Sequence, residues 1–375
     1  MDKSCFKNPE DKARNYSRIK YGLVLAEAGF FLAFCIIWQA TGFSQRLGHA
    51  LSRMAATADP LIGGPVFLLL FFLVYYILAF PGIFYRTFLL EHQFGLSKET
   101  LKGWFLDQLK SGLIACLIAS VCLDAFYLIF NAYPQGWWLC LSAGFLAFNL
   151  IFAYLVPVVV MPLFFKYTRF PQGPMRMRLT KLAQSMGISF GDIYYINFSK
   201  RTVKANAGLM GLGNTKRIVL SDTLQKVYTD DEILVLAAHE FAHSRSGHII
   251  KLLFLSACIY AGLFYVLFKI YPALSDWGKL PPLADPAGIP TVFLCLALWG
   301  MASEPVMNAV SRRFESHADE AAIRSTGLAT AFVSSMEKLA DQNLADRDPP
   351  ALFVWLFYSH PPVSERIAKA RMERE

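Results

Sequence analysis

The apolar positions of this chain gather in long unbroken runs, not in the alternating or three-four spacing of a soluble core. Six runs reach the length of about 20 residues that a helix needs to cross the hydrocarbon core of a bilayer. They lie at 21–40, 61–85, 111–130, 137–165, 249–270 and 288–310, and the run at 137–165 holds no charged residue. Pro65, Pro81, Pro157 and Pro162 predict kinks or early exits, which spans tolerate when neighbouring helices satisfy the freed backbone groups. The expected fold is an α-helical multi-pass membrane protein of about six spans.

Between the fourth and fifth runs the pattern changes. Residues 166–248 are mixed and polar and read as a small α+β unit. Helical spacing covers 175–186, and short strand-like runs cover 193–197, 203–207 and 217–220, broken by Gly and Asn turns such as Gly211-Leu212-Gly213-Asn214. From Ser311 onward the chain is again helical and polar, with a break at Pro349-Pro350. This divides it into a four-span region (1–165), a catalytic segment (166–248), the fifth and sixth spans (249–310) and a C-terminal segment (311–375). The two polar segments are expected to reassemble on one side of the membrane.

Composition agrees with the pattern. Of 375 residues 55% are hydrophobic and 17% charged, and the mean hydropathy is +0.39. A soluble domain carries nearer a quarter charged residues, so there is too little polar surface for a globular chain. Lys and Arg then set the orientation. They crowd the stretch before the first run (Lys3, Lys7, Lys12, Arg14, Arg18, Lys20), the loop after the second (Arg86, Lys98, Lys102), and the region after the fourth (Lys166, Arg169, Arg176, Arg178). Arg312 and Arg313 follow the sixth, while the intervening loops are poor in both residues. By the positive-inside rule both termini and 166–248 face the cytoplasm. The net charge of +8 is explained by loops beside anionic lipid, and no nucleic-acid motif accompanies it. The first run holds Glu27 and shows no small-residue cleavage site, so it reads as a retained span and not a signal peptide. Cys5 lies in the basic stretch and the other six cysteines fall in the runs without a CxxC pair, which predicts buried small hydrophobes.

Candidate chemistry sits at the end of the polar segment. Thr229-Asp230-Asp231-Glu232 is a capping box with an acidic first turn, and it opens an unbroken helix carrying His239-Glu240-Phe241-Ala242-His243. The two histidines share one face a turn apart, so both imidazoles can reach one metal. Glu240 flanks that face, where it can hold a water and take its proton. A catalytic zinc wants a third protein ligand and an open position. His248 sits five residues after His243, with Gly247 misplaced for the extended HExxHxxGxxH pattern. Glu315 is the better candidate, with Asp319 one turn on to orient a ligand histidine. Spacing alone leaves a second reading open, in which Arg312, Glu315 and Asp319 form a solvated salt-bridge ladder.

The motif His239-to-His243, followed beyond a hydrophobic hairpin by Ser311-Arg312-Arg313-Phe314-Glu315-Ser316-His317-Ala318-Asp319, resembles the integral-membrane CAAX prenyl proteases of the gluzincin type. Tyr85-Arg86-Thr87-Phe88 with Glu91, Asn206-Ala207, Lys216 to Asp222, and Ser359-His360-Pro361-Pro362 with Glu365-Arg366 are similar to further stretches of that family in the same order. The resemblance implies a cytoplasmic α+β zincin-like metalloprotease domain that hydrolyses peptide bonds of membrane-associated substrates. It implies one zinc ion on His239, His243 and Glu315, with Glu240 as base and Asp319 behind the ligands. It also implies that Asn206 and Ala207 pair with an extended substrate backbone, that His360 stabilises the oxyanion, and that Arg312 braces the site. The plainer alternatives are a turn residue at Asn206 and a helix-capping residue at His360. Expected partners are a peptide or protein substrate, prenylated in the family, and membrane lipid. The chain is shorter than the eukaryotic members and ends without a di-lysine signal, which points to a bacterial cytoplasmic membrane over the endoplasmic reticulum. A related membrane quality-control protease is the alternative activity, and a non-catalytic scaffold is a third reading with every catalytic position against it.

Overall fold

The computed structural model describes residues 8–54 and 59–373. Lys3, Lys7, Cys5 and the last two residues, Arg374 and Glu375, lie outside the described residues. The chain is mostly helical: α1 (Pro9–Ala40), α2 (Phe43–Ser52), α3 (Pro60–Phe84), α4 (Leu90–Gln93), α5 (Leu101–Ala132), α6 (Trp137–Leu155), α7 (Met161–Phe164), α8 (Pro174–Ser185), α9 (Asp230–Arg245), α10 (His248–Gly278), α11 (Ile289–Thr326), α12 (Ala329–Asn343), α13 (Ala351–Phe357) and α14 (Val363–Met372). Among the described residues six helices are long and apolar enough to cross a membrane, the number expected from the apolar runs. Two of the prolines mark departures from regular α geometry. Wide π turns occupy Tyr85–Leu89, just after Pro81, and Val156–Val160, which contains Pro157.

The spans run further than their apolar cores. The last is continuous to Thr326, so position 310 falls inside a helix, and one rigid element carries both the sixth apolar run and Glu315. Outward-facing Leu113, Leu117, Val121 and Leu128 on α5 are exposed, as a lipid-facing surface requires. Cys35 is buried, but Cys122 and Cys258 are exposed on the outer faces of α5 and α10, so those two are not the buried hydrophobes expected. Of the acidic residues at the spans, Glu27 pairs with Arg86 at 2.7 Å, and Glu304 is exposed. A buried oxygen of Asp124 has no hydrogen-bond partner.

The polar segment folds around a four-stranded sheet in the order β1 (Tyr167–Arg169), β2 (Ile193–Ile196), β4 (Arg217–Ser221), β3 (Ala207–Met210). β2 and β4 are parallel, while β1–β2 and β3–β4 are antiparallel. The strand expected at 203–207 is displaced to Ala207–Met210. Residues 203–205 are drawn off elsewhere: the Val203 N–H donates to the Leu96 carbonyl at 3.0 Å, and Asn343 brackets the Ala205 backbone. The sheet therefore begins one residue after Asn206. The Leu96–Val203 bond, together with Lys204–Glu91 (2.7 Å) and Tyr16–Glu91 contacts, holds the start of α1, the loop after α4 and the sheet at one end of the bundle. A single core joins α8, the sheet, α9, the end of α11, α12 and α14, with Phe241 and Phe332 fully buried within it. Both polar segments contribute to this core, and α9 lies within it.

Candidate active site

Helix α9 starts on a complete capping box. Thr229 accepts from the Glu232 N–H (3.3 Å) and Glu232 accepts from the Thr229 N–H (2.7 Å). Glu232 is 3% exposed and also accepts from Lys338 (2.7 Å) and Ser334 (2.6 Å), which ties the helix start to α12. Ile233 to Ala238 are then buried in the core, so the register of the following turn is fixed. That turn presents His239 and His243 toward α11.

Their Nε2 atoms lie 3.0 Å apart, and Glu315 reaches both, Oε2 at 3.2 Å from His239 and Oε1 at 3.3 Å from His243. One ligand atom from each of the three residues lies within 4.8 Å of the others. His239 Nδ1 is 2.8 Å from an Asp319 oxygen, a contact that holds the ring with Nε2 toward Glu315. Glu315 Oε2 is buried without a hydrogen bond. Electron-rich atoms converging in a buried place call for a cation, and two imidazoles with one carboxylate fit a zinc ion with an open fourth position. The imidazole of His239 responds to the same field. Burial depresses it, but the neighbouring carboxylates of Asp319 and Glu315 outweigh burial and push it up to about 10, so proton and metal compete for one place.

Glu240 lies beside the cluster in a cleft of about 310 Å³ that Asn206, Ala207, Lys216 and His360 also line. Burial pushes its carboxyl above the ordinary range, against the opposing pull of His239 and His243, which suits a general base working near neutrality. Its Oε2 accepts from the Leu209 N–H at 3.3 Å. Backbone groups alternate along β3. Asn206 uses its N–H and carbonyl on Ser221, and Gly208 and Met210 lie opposite Val219 and Arg217, so by alternation Ala207 and Leu209 turn their backbone to the other edge beside the cluster, where the Leu209 N–H meets Glu240. An extended peptide can add there as a further strand.

The remaining expected residues reach the site in different ways. His360 Nε2 is 3.3 Å from Glu315, so it stands at the cleft and does not merely cap α14. Asn206 is exposed at the head of β3. Arg312 is not in the cleft. It donates to the carbonyls of Val354 (3.0 Å) and Tyr358 (2.6 Å), the stretch that leads to His360. With that arginine spent on backbone and with Glu315 and Asp319 buried, no solvated ladder forms. Arg366 went without a role in the sequence reading. It grips Asp319 with two bonds of 2.8 and 2.6 Å and completes a chain from Arg366 through Asp319 to His239. A lone arginine far along the chain gave no spacing signal for this; only its place in the Glu365-Arg366 motif hinted at it.

Known proteins match this architecture along its whole length. A family model described as CAAX prenyl protease N-terminal, five membrane helices, covers residues 6–166, where four of the described helices are long and apolar enough to cross. A model of Peptidase family M48 covers residues 171–374. "Uncharacterized metalloprotease YhfN" of Bacillus subtilis is 28% identical over 99% of this chain and 88% of its own. "CAAX prenyl protease 1" of Saccharomyces cerevisiae is 27% identical over 95% of this chain and 84% of its own. The crystal structure of S. mikatae Ste24p superposes with a TM-score of 0.87 at 26% identity, covering 96% of this chain and 89% of that one.

Proposed function

This chain belongs to peptidase family M48, and from that premise we propose that it is a zinc endopeptidase of the CAAX-processing kind, cutting peptides presented at the membrane surface. It is a multi-pass membrane metalloprotease acting on peptide or protein substrates. The observation that carries the finer reading is the convergence of His239, His243 and Glu315 beside Glu240 and the open edge of β3. His239, His243 and Glu315 are the metal ligands, and Asp319 orients His239. When bound, zinc supplies a Lewis acid that polarises the scissile carbonyl and acidifies a water.

The protein's own groups do the rest. The substrate backbone lies along Ala207 and Leu209, with the Asn206 side chain at the head of the strand. Glu240 takes the proton of the attacking water and returns it to the leaving amine. His360 donates toward the oxyanion, held in place by the arch of backbone that Arg312 anchors. The basic loops support a cytoplasmic position for this end of the bundle.

The test follows cleavage of a quenched fluorescent peptide ending in a CAAX box, with and without a farnesyl group on its cysteine. Detergent-purified wild type should cut after the prenylated cysteine, Glu240→Gln should bind zinc without turnover, and Glu315→Ala should lose both. Cleavage indifferent to the lipid and the register would replace CAAX processing with the broader degradative activity. Full activity in Glu240→Gln would end the metalloprotease assignment of this helix.

A further inference from the structure

Behind the metal cluster lies a histidine to which the reaction assigns no part. Gly247, in the left-handed region at φ 64, ends the turn after α9, and His248 opens α10. The bend folds its ring back against α9, where it is 3% exposed. The ring lies parallel to that of Phe314, 2° and 4.2 Å away, and Phe314 immediately precedes Glu315. His248 thus touches the neighbour of one metal ligand, and its Nδ1 is 3.0 Å from Nδ1 of another, His243.

Unlike the two Nε2 atoms that converge with Glu315 where a cation fits, these Nδ1 atoms can share one proton, so one donates and the other accepts. His243 Nε2 faces His239 and Glu315 and is the lone pair offered to the metal. Its Nδ1 therefore carries the hydrogen, His248 Nδ1 accepts it, and the proton of His248 sits on Nε2. We infer that His248 is a positioning residue that fixes the tautomer and ring plane of His243 through a histidine–histidine hydrogen bond. This rests on the assignment of His239, His243 and Glu315 as metal ligands. It also makes the two ligand histidines unequal. His239 Nδ1 stands 2.8 Å from a carboxylate held by Arg366, whose charge strengthens its basicity, whereas His243 donates to an imidazole that carries no charge in that tautomer. His243 is then the weaker arm of the site, and metal release begins there.

The hydrogen bond and the ring packing can be separated by substitution. His248→Phe keeps a ring against Phe314 and removes the acceptor. His248→Asn removes the ring and places an oxygen close to where Nδ1 stood. His248→Asp offers His243 the carboxylate that His239 already has. Zinc affinity and release rate are measured on the full-length protein in detergent by competition with a chromogenic chelator, alongside thermal unfolding of the metal-free forms. Loss of an outer hydrogen-bond partner typically weakens a metal site by about 10–100-fold. That loss is expected for His248→Phe, with metal-free unfolding unchanged, while His248→Asn stays within about threefold of wild type and His248→Asp releases zinc more slowly. Wild-type affinity in His248→Phe, or equal loss in His248→Asn, would show a packing residue only and overturn the inference. If His248→Phe does not fold, the other two decide: faster release from both overturns it, and retention by both upholds it. Wild-type zinc affinity in Glu315→Ala would instead remove the premise.

Discussion

Helix α5 turns Leu113, Leu117, Val121 and Leu128 outward, and of its 32 residues Trp104 and Tyr127 are buried. Helix α9 is half as long and buries every residue from Glu232 to His239. The first is stabilised by satisfying its backbone internally in an apolar solvent, and its side chains have little else to touch. The second is fixed from all sides by a dense core and a polar network. The difference shows where position is specified. A metal site needs its ligands held within fractions of an ångström, and α9 supplies that. The membrane helices need only length, apolarity and a few contacts, while α11 belongs to both regimes, lipid-facing at Leu298 and Val306 and buried at Glu315 and Asp319.

The sharpest way to break the contrast is on α9 itself. Glu240→Gln should cut turnover by about 10²–10⁴-fold, read in a peptide assay, with zinc content and thermal unfolding unchanged. Next comes the chain behind the ligands. Arg366→Leu leaves the buried Asp319 carboxylate with His239 alone beside it, so the unfolding free energy should fall by about 3–5 kcal/mol, with zinc held more weakly. An unchanged melting temperature would show that the Arg366–Asp319 pair carries no strain of burial. Phe241→Ala, fully buried, should cost about 3–5 kcal/mol. Leu117→Ala on α5, 66% exposed, should stay within about 0.5 kcal/mol in the same detergent. Equal losses would erase the distinction between the two regions.

A smaller effect tests the cap of α9 by pH. Burial raises the Glu232 carboxyl, but Lys338, Ser334 and the Thr229 N–H outweigh it and hold it below the ordinary range. A depressed carboxyl adds stability above its unfolded pKa and loses it as pH falls through the folded value. Glu232→Gln should therefore cost about 1–3 kcal/mol at pH 7. In chemical denaturation that gap should narrow as pH drops below about 4.3. A gap that stays constant with pH would assign the loss to shape and not charge.

How much of this could be read beforehand follows the same division. The six spans were legible because an apolar run of that length has few other uses, and their ends were not, because amphipathic extensions carry the helices past the bilayer. The pair His239 and His243 was legible because helical spacing alone makes the two imidazoles neighbours. Glu315 needed the resemblance to separate it from a salt-bridge ladder, since spacing on α11 fits both. The edge strand starts four residues later than the pattern predicts. Val203 is β-branched and reads as strand, yet its N–H is taken by the Leu96 carbonyl, while Gly208, outside the expected run, lies within β3. Arg366 and Asp319 meet across 47 positions, and no local pattern announces such a pair.

The most direct test of the central claim is anomalous diffraction at the zinc edge from crystals of Glu240→Gln loaded with zinc. One peak is expected per chain, about 2.0–2.2 Å from His239 Nε2, His243 Nε2 and a Glu315 oxygen. A peak held by other residues, or none at this cluster in a zinc-loaded crystal, would contradict it.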